Sequence, residues 1–202
     1  MAKLIAGVPD QKEGGFHDTE SEKCFETVQE ATTQYPILKT RLLNINSWHS
    51  YAGSMSAAFK LFDSKAQNKN EAPEVGDYIR IDIPGMGSKV GDSYDWVKIT
   101  KIDLNAYDAD ERCFIQCVPS INPTSNVVDE VAHFYLDKAT SNFIVSRRGS
   151  CITTGIYGRN EVTNDDVNNL SDKLRNALIS IGGMVGVSKL QWKSLANGLL
   201  NF

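Results

Sequence analysis

The chain has 202 residues, is 41% hydrophobic, and carries a formal net charge of −4 with a pI near 5.4. That length and apolar content suffice for one sizeable core. The acidic balance, without a clustered basic face, argues against a nucleic-acid partner. No run approaches the roughly 20 apolar residues of a membrane span.

The charge is uneven. Residues 1–35 hold three Lys against seven Asp/Glu, and residues 36–202 balance 18 against 18. The opening run MAKLIAGVPDQ has too few apolar residues for a signal-peptide core, so the expected location is the cytoplasm. Residues 1–23, polar and acidic around Gly14-Gly15, read as an extended arm. Residues 24–30 alternate as a first strand does, and equally suit a helix start. The four cysteines, Cys24, Cys113, Cys117 and Cys151, lack C-x-x-C spacing. Cys113 and Cys117 fall four apart on one predicted strand, about 13 Å from each other, beyond bridging distance. The scatter suits reduced, buried thiols.

In residues 35–51, Pro36 suits a first helical position. Leu38, Leu42, Ile45 and Trp48 then recur on one helical face, which Asn44, Asn46 and Ser47 interrupt. Residues 55–62 predict a strand with Ala57, Phe59 and Leu61 on one side. The loop 63–74 is polar. Residues 75–103 then form a hairpin. Ile79, Ile81 and Ile83 share one face of its first strand, and its second strand, 94–102, has both faces partly covered. The loop between them contains Gly85, Gly87, Lys89 and Gly91. Its spacing fits neither phosphate-binding pattern, so it reads as a flexible turn.

Residues 112–118 and 131–136 read as strands. Residues 141–160 read as a long hairpin turning at Arg148-Gly149, where Gly155 and Gly158 mark a bulge or a close approach by a helix. A long amphipathic helix follows from Thr163, with Val167, Leu170, Leu174, Ala177, Leu178 and Ile181 on its stripe, and Gly182-Gly183 stops it. Ser188-Lys189-Leu190-Gln191 has the form of a capping box for a second, short helix. Trp192, Leu195, Ala196 and Leu199 make its apolar side. The divisions are thus an arm at 1–23, one α+β domain at 24–183 and a helical appendage at 184–202.

The three histidines, His17, His49 and His133, lack metal-ligand spacing, and no nucleophile elbow or cofactor motif is present. No catalytic or metal-binding residue is assigned on this basis. Asp92 and Asp95 are a carboxylate pair near the glycine loop, where solvation of a turn is the ordinary role. The aromatic residues are spread over most elements, either filling the core or lining an apolar cavity.

The element order is strand, short helices ending in NINSWHSY, about six to seven antiparallel strands and a long helix. It resembles the helix-grip fold of the START-like, polyketide cyclase superfamily. Trp48 before the second strand and GDYIRIDI at the third carry the resemblance, over about residues 24–183. It implies a curved antiparallel sheet gripping a helix, and a non-catalytic module for a small apolar ligand or hydrophobic partner. Trp48, Tyr51, Tyr78, Trp96, His133 and Tyr135 are the candidate lining. Two alternatives stand beside it. One is an interaction subunit of a larger bacterial assembly, contacting a protein partner through Trp192, Leu195 and Leu199. The other is a cyclase- or hydrolase-like enzyme using His133 or Asp95.

Overall fold

Strand alternation and one helical stripe organise the molecule. The computed structural model describes residues 1–53, 57–82, 94–105, 107–125, 138–162 and 184–202. Strand β1 (Gly15–Cys24) leads to helix α1 (Val28–Leu43), a 3-10 turn (Ile45–Ser47) and the short α2 (Trp48–Ala52). Six strands follow: β2 (Ala58–Phe62), β3 (Tyr78–Asp82), β4 (Asp95–Asp103), β5 (Glu111–Pro119), β6 (Thr140–Arg148) and β7 (Cys151–Glu161). Helix α3 (Met184–Leu199) ends the chain. The strands form one antiparallel seven-stranded sheet in the order β1-β7-β6-β5-β4-β3-β2. The fold is α+β. The helices carry the chain from one sheet edge to the other, and the strands then walk back to β1. Register shifts in β1 and β4 are the bulges that bend such a sheet.

One face of the sheet meets the helices. It presents Phe59, Leu61, Ile79, Val97, Ile99, Ile115, Phe143, Val145, Ile152 and Ile156, all buried. Against it pack Ala31, Tyr35, Leu38 and Leu42 of α1, then Ile45, Trp48, and Leu195, Ala196 and Leu199 of α3. The Leu38–Trp48 stripe seen in the sequence is therefore real, and it extends back to Ala31. The outer face is covered in two places. Trp96 and Phe62 pack together with Tyr78 and Tyr94 beside them. Phe114, Ile144 and Tyr157 lie under Ile5 and Val8 of the N-terminal segment. Strand β4 accordingly buries both its faces at its start, Asp95–Val97, while Thr100 is exposed.

Polar residues fix the joints. Asn46 accepts from the Leu61 N–H and donates to the Lys69 carbonyl, both at 2.8 Å, tying the helical turn to β2. Arg41 donates to the Gly198, Leu199 and Asn201 carbonyls, satisfying the C-terminus of α3 where a cation is favoured. Gly198 lets α3 lie against the Tyr51 carbonyl; a Cβ there would collide with it.

Several expectations change. Helix α1 begins eight residues before Pro36, because Thr27 is its N-cap, accepting from the Glu30 N–H at 3.2 Å. Pro36 sits inside the helix and forgoes one backbone bond. Residues 24–30 hold the end of β1, the cap and the start of α1. Much of the segment read as an arm is the edge strand β1. Ser188 lies within α3, not at its start.

Cys24 and Cys151 are not reduced thiols: they face each other across β1 and β7 and form a disulfide. Cys113 and Cys117 are free and buried, and burial pushes the Cys113 thiol up to about 11. The glycine loop with Asp92, the strand 131–136 and the long helix from Thr163 lie outside the described residues. Among those described, no helix is long and apolar enough to cross a membrane.

Candidate functional site on the inner face

The feature that stands out on the inner face joins β1, β7 and α3. Side chains of a strand flip with a period of two, so His17, Thr19, Ser21 and Lys23 point to one side of β1 and Glu20, Glu22 and Cys24 to the other. His17 and Glu161 are buried, with His17 Nδ1 2.9 Å from Glu161 Oε1. They fit because residue 158 is glycine: a Cβ there would collide with both side chains. With the carboxylate accepting from Nδ1–H, the other ring nitrogen, Nε2, is the acceptor of the neutral imidazole. That Nε2 is buried and has no hydrogen-bond partner among the described residues.

Aromatic rings continue from this point. Trp192 lies nearly parallel to the His17 ring, 7° between planes and 6.2 Å between centroids. Trp192 meets Phe143 edge-on at 5.6 Å and Phe59 at 6.1 Å. Trp48 meets Phe143 at 4.8 Å and Phe59 at 5.2 Å, and its indole N–H donates to the Leu42 carbonyl at 3.0 Å. The result is an apolar array with one imidazole at its edge. Chemically it offers ring stacking, apolar burial and a single oriented polar atom.

Asp95 is a further buried polar residue of this face, in addition to the buried Thr19 and Thr154, at the start of β4 on the side of Val97 and Ile99. Burial pushes its carboxyl up to about 8, so it is largely protonated at neutral pH. Strands β7, β6 and β5 separate it from β1, so it lies on the order of 19 Å from His17 along the sheet.

The candidate lining does not converge. Trp48 is on the inner face, within the core. Tyr78 and Trp96 are on the outer face, because they alternate with Ile79 and Val97, which point inward. Lys98 lies over the Tyr78 ring there, at 5.3 Å. Tyr51 is half-buried with the Arg41 guanidinium 4.9 Å from its ring. His133 and Tyr135 lie outside the described residues. Of the residues considered for a partner, Leu195 and Leu199 are buried against the chain's own core, and Trp192 belongs to the aromatic array. Sequence spacing gives His17 no metal-binding role and does not single out Glu161 or Phe143. Gly158 was the available signal, and what approaches it closely is a side-chain pair, not a helix.

No family model matches the chain, and no curated protein aligns with it. Solved structures similar in their course include a hypothetical protein from Helicobacter pylori, at 9% identity and a TM-score of 0.49, over 96% of this chain and 98% of that one. Norcoclaurine synthase from Thalictrum flavum is similar at 11% identity and a TM-score of 0.39, over 100% of both chains. Ara h 8.0201 is similar at 14% identity and a TM-score of 0.37, over 93% of this chain and 100% of that one. No residue role or activity carries over at this level of similarity.

Proposed function

We propose that the chain is a non-catalytic binding module for a small apolar molecule bearing one polar group, received on the inner face beside Trp192. The observation that carries this reading is the buried Nε2 of His17, which has no hydrogen-bond partner among the described residues, at the edge of an aromatic array. Leaving a buried polar atom unsatisfied costs about 1–3 kcal/mol. A hydroxyl or N–H on a ligand removes that cost, while the Trp192, Phe59 and Phe143 rings bury its apolar body. Glu161 holds the imidazole in the orientation the contact requires. Among the described residues no hydroxyl or thiol is bonded to His17, so the geometry supports binding and not nucleophilic chemistry.

The test compares 2-naphthol with naphthalene by quenching of tryptophan fluorescence. Wild type should bind 2-naphthol more tightly, by about fivefold for one hydrogen bond of ordinary strength. His17→Phe should erase that preference while retaining naphthalene, and Trp192→Ala should weaken both. Equal affinity for the two probes, or no binding of either, overturns the reading.

A further inference from the structure

A second cluster lies on the opposite side of β1. Glu22 and Cys24 are two apart on that strand and share a face, and Cys151 is the cross-strand neighbour of Cys24. The Glu22 carboxylate and the two sulfurs lie within 4.8 Å of one another. Glu22 and Cys24 are exposed and Cys151 is half-buried, so both water and ions reach them. Glu22 and Cys151 also line a groove of about 400 Å³ beneath the N-terminal Leu4 and Ile5. Arg148 lines the same groove, but it is paired with Asp108 at 2.8 Å, which offsets its repulsion of a cation.

We propose that reduction of the Cys24–Cys151 disulfide creates a site for a divalent cation of the zinc class, held by Glu22, Cys24 and Cys151. The donor set is two thiolates and a carboxylate, which suits a borderline-soft ion, with water completing four-coordination. A dithiol reductant supplies two electrons and two protons. The S–S bond breaks, each sulfur leaves as a thiol, and the reductant becomes a disulfide. The cation then displaces the thiol protons to solvent and binds both sulfurs and a Glu22 oxygen. In the oxidised chain the sulfurs are bonded to each other, so disulfide and ion are alternative occupants of one place. The bound ion shields the dithiol from reoxidation. Cys113 and Cys117, free but buried, take no part.

Equilibrium dialysis of the full chain against Zn²⁺ alone tests this, using oxidised protein and protein reduced with a phosphine, which does not compete for zinc as a dithiol does. The reduced chain should take up one equivalent and the oxidised chain none, and Co²⁺ in place of Zn²⁺ should give thiolate charge-transfer absorption. Glu22→Gln should weaken uptake about tenfold or more, and the Cys24→Ser/Cys151→Ser double substitution should abolish it. If that variant does not fold, protection of Cys24 and Cys151 from alkylation by zinc in the wild type, read by peptide mass, gives the same answer. Equal uptake by oxidised chain, no uptake by reduced chain, uptake surviving loss of both cysteines, or a reduced chain unfolded by circular dichroism each overturns the proposal.

Discussion

The Arg159 guanidinium lies 2.7 Å from Asp18 Oδ1, with its own side chain only 1% exposed. Its N–H groups point elsewhere: to the His17 and Gly158 carbonyls, and to the Lys3 carbonyl at 2.9 Å. Asp18 in turn accepts from the Lys3 backbone N–H through Oδ2 at 2.9 Å. A buried ion pair therefore also fastens residues 1–12 across the outer face, alongside Arg112, which donates to the Ala6 carbonyl at 2.7 Å.

Arg159→Leu should then have two effects. It strands the Asp18 carboxylate in a largely dry site, at a cost of about 3 kcal/mol, read as a lower urea midpoint. It also releases the Lys3 carbonyl, so limited proteolysis should cut within residues 1–12 faster than in wild type. A drop in stability with unchanged cleavage would show that the segment is held by Arg112 and the Ile5 and Val8 contacts instead.

Asp95 gives a pH dependence of known sign. Its carboxyl is raised from 3.8 to about 8 by burial, so between those values the folded chain holds a proton that the unfolded chain has lost. Its contribution is present below pH 4 and is lost as pH rises toward 8. Asp95→Asn should flatten the fall in Tm across that window and raise Tm at pH 8 by about 5 °C or more. A variant whose Tm curve parallels that of wild type removes the assignment.

Gly158→Ala adds a methyl group where His17 and Glu161 already touch. Overpacking of this kind costs about 1–3 kcal/mol, measurable by chemical denaturation. His17→Ala in the same chain should recover part of the loss, since the two changes share one space. Simple additivity would place the clash elsewhere.

Thiol labelling separates the cysteines by exposure. Native wild type should take no iodoacetamide. After reduction, Cys24 and Cys151 should label, while Cys113 and Cys117 should label only on unfolding. Labelling of either buried thiol in the folded chain would show that β5 opens locally.

The local code was readable where period and burial coincide. Ile79 on β3, the Leu38–Trp48 stripe and, one residue beyond its expected place at Arg148-Gly149, the turn Gly149-Ser150 follow from alternation, helical spacing and glycine within short windows. The start of α1 is marked by Thr27-x-x-Glu30, a cap and a first-turn acid, while Pro36 offers a competing start eight residues into the helix. What the sequence hides is contact between distant segments. His17 meets Glu161, Cys24 meets Cys151 and Tyr78 turns away from Trp48 only because β1 pairs with β7 and because each strand has two faces. An aromatic residue carries no mark of which face it will take; its neighbours Ile79 and Val97 carry it instead.

The pairing of β1 with β7 also sets an order of events. Cys24 and Cys151 are 127 positions apart, so the first strand made during synthesis is without its partner until the last strand has been delivered. The hairpins β4-β5 and β6-β7 form from neighbours in sequence, whereas β1 closes over a long loop whose entropy must be overcome before any contact repays it. His17, Glu161 and the cysteine pair all assemble at that same closure. The His17–Glu161 pair and the cysteine pair, on opposite faces of β1, therefore depend on one closure, and a nascent chain interrupted before β7 has neither.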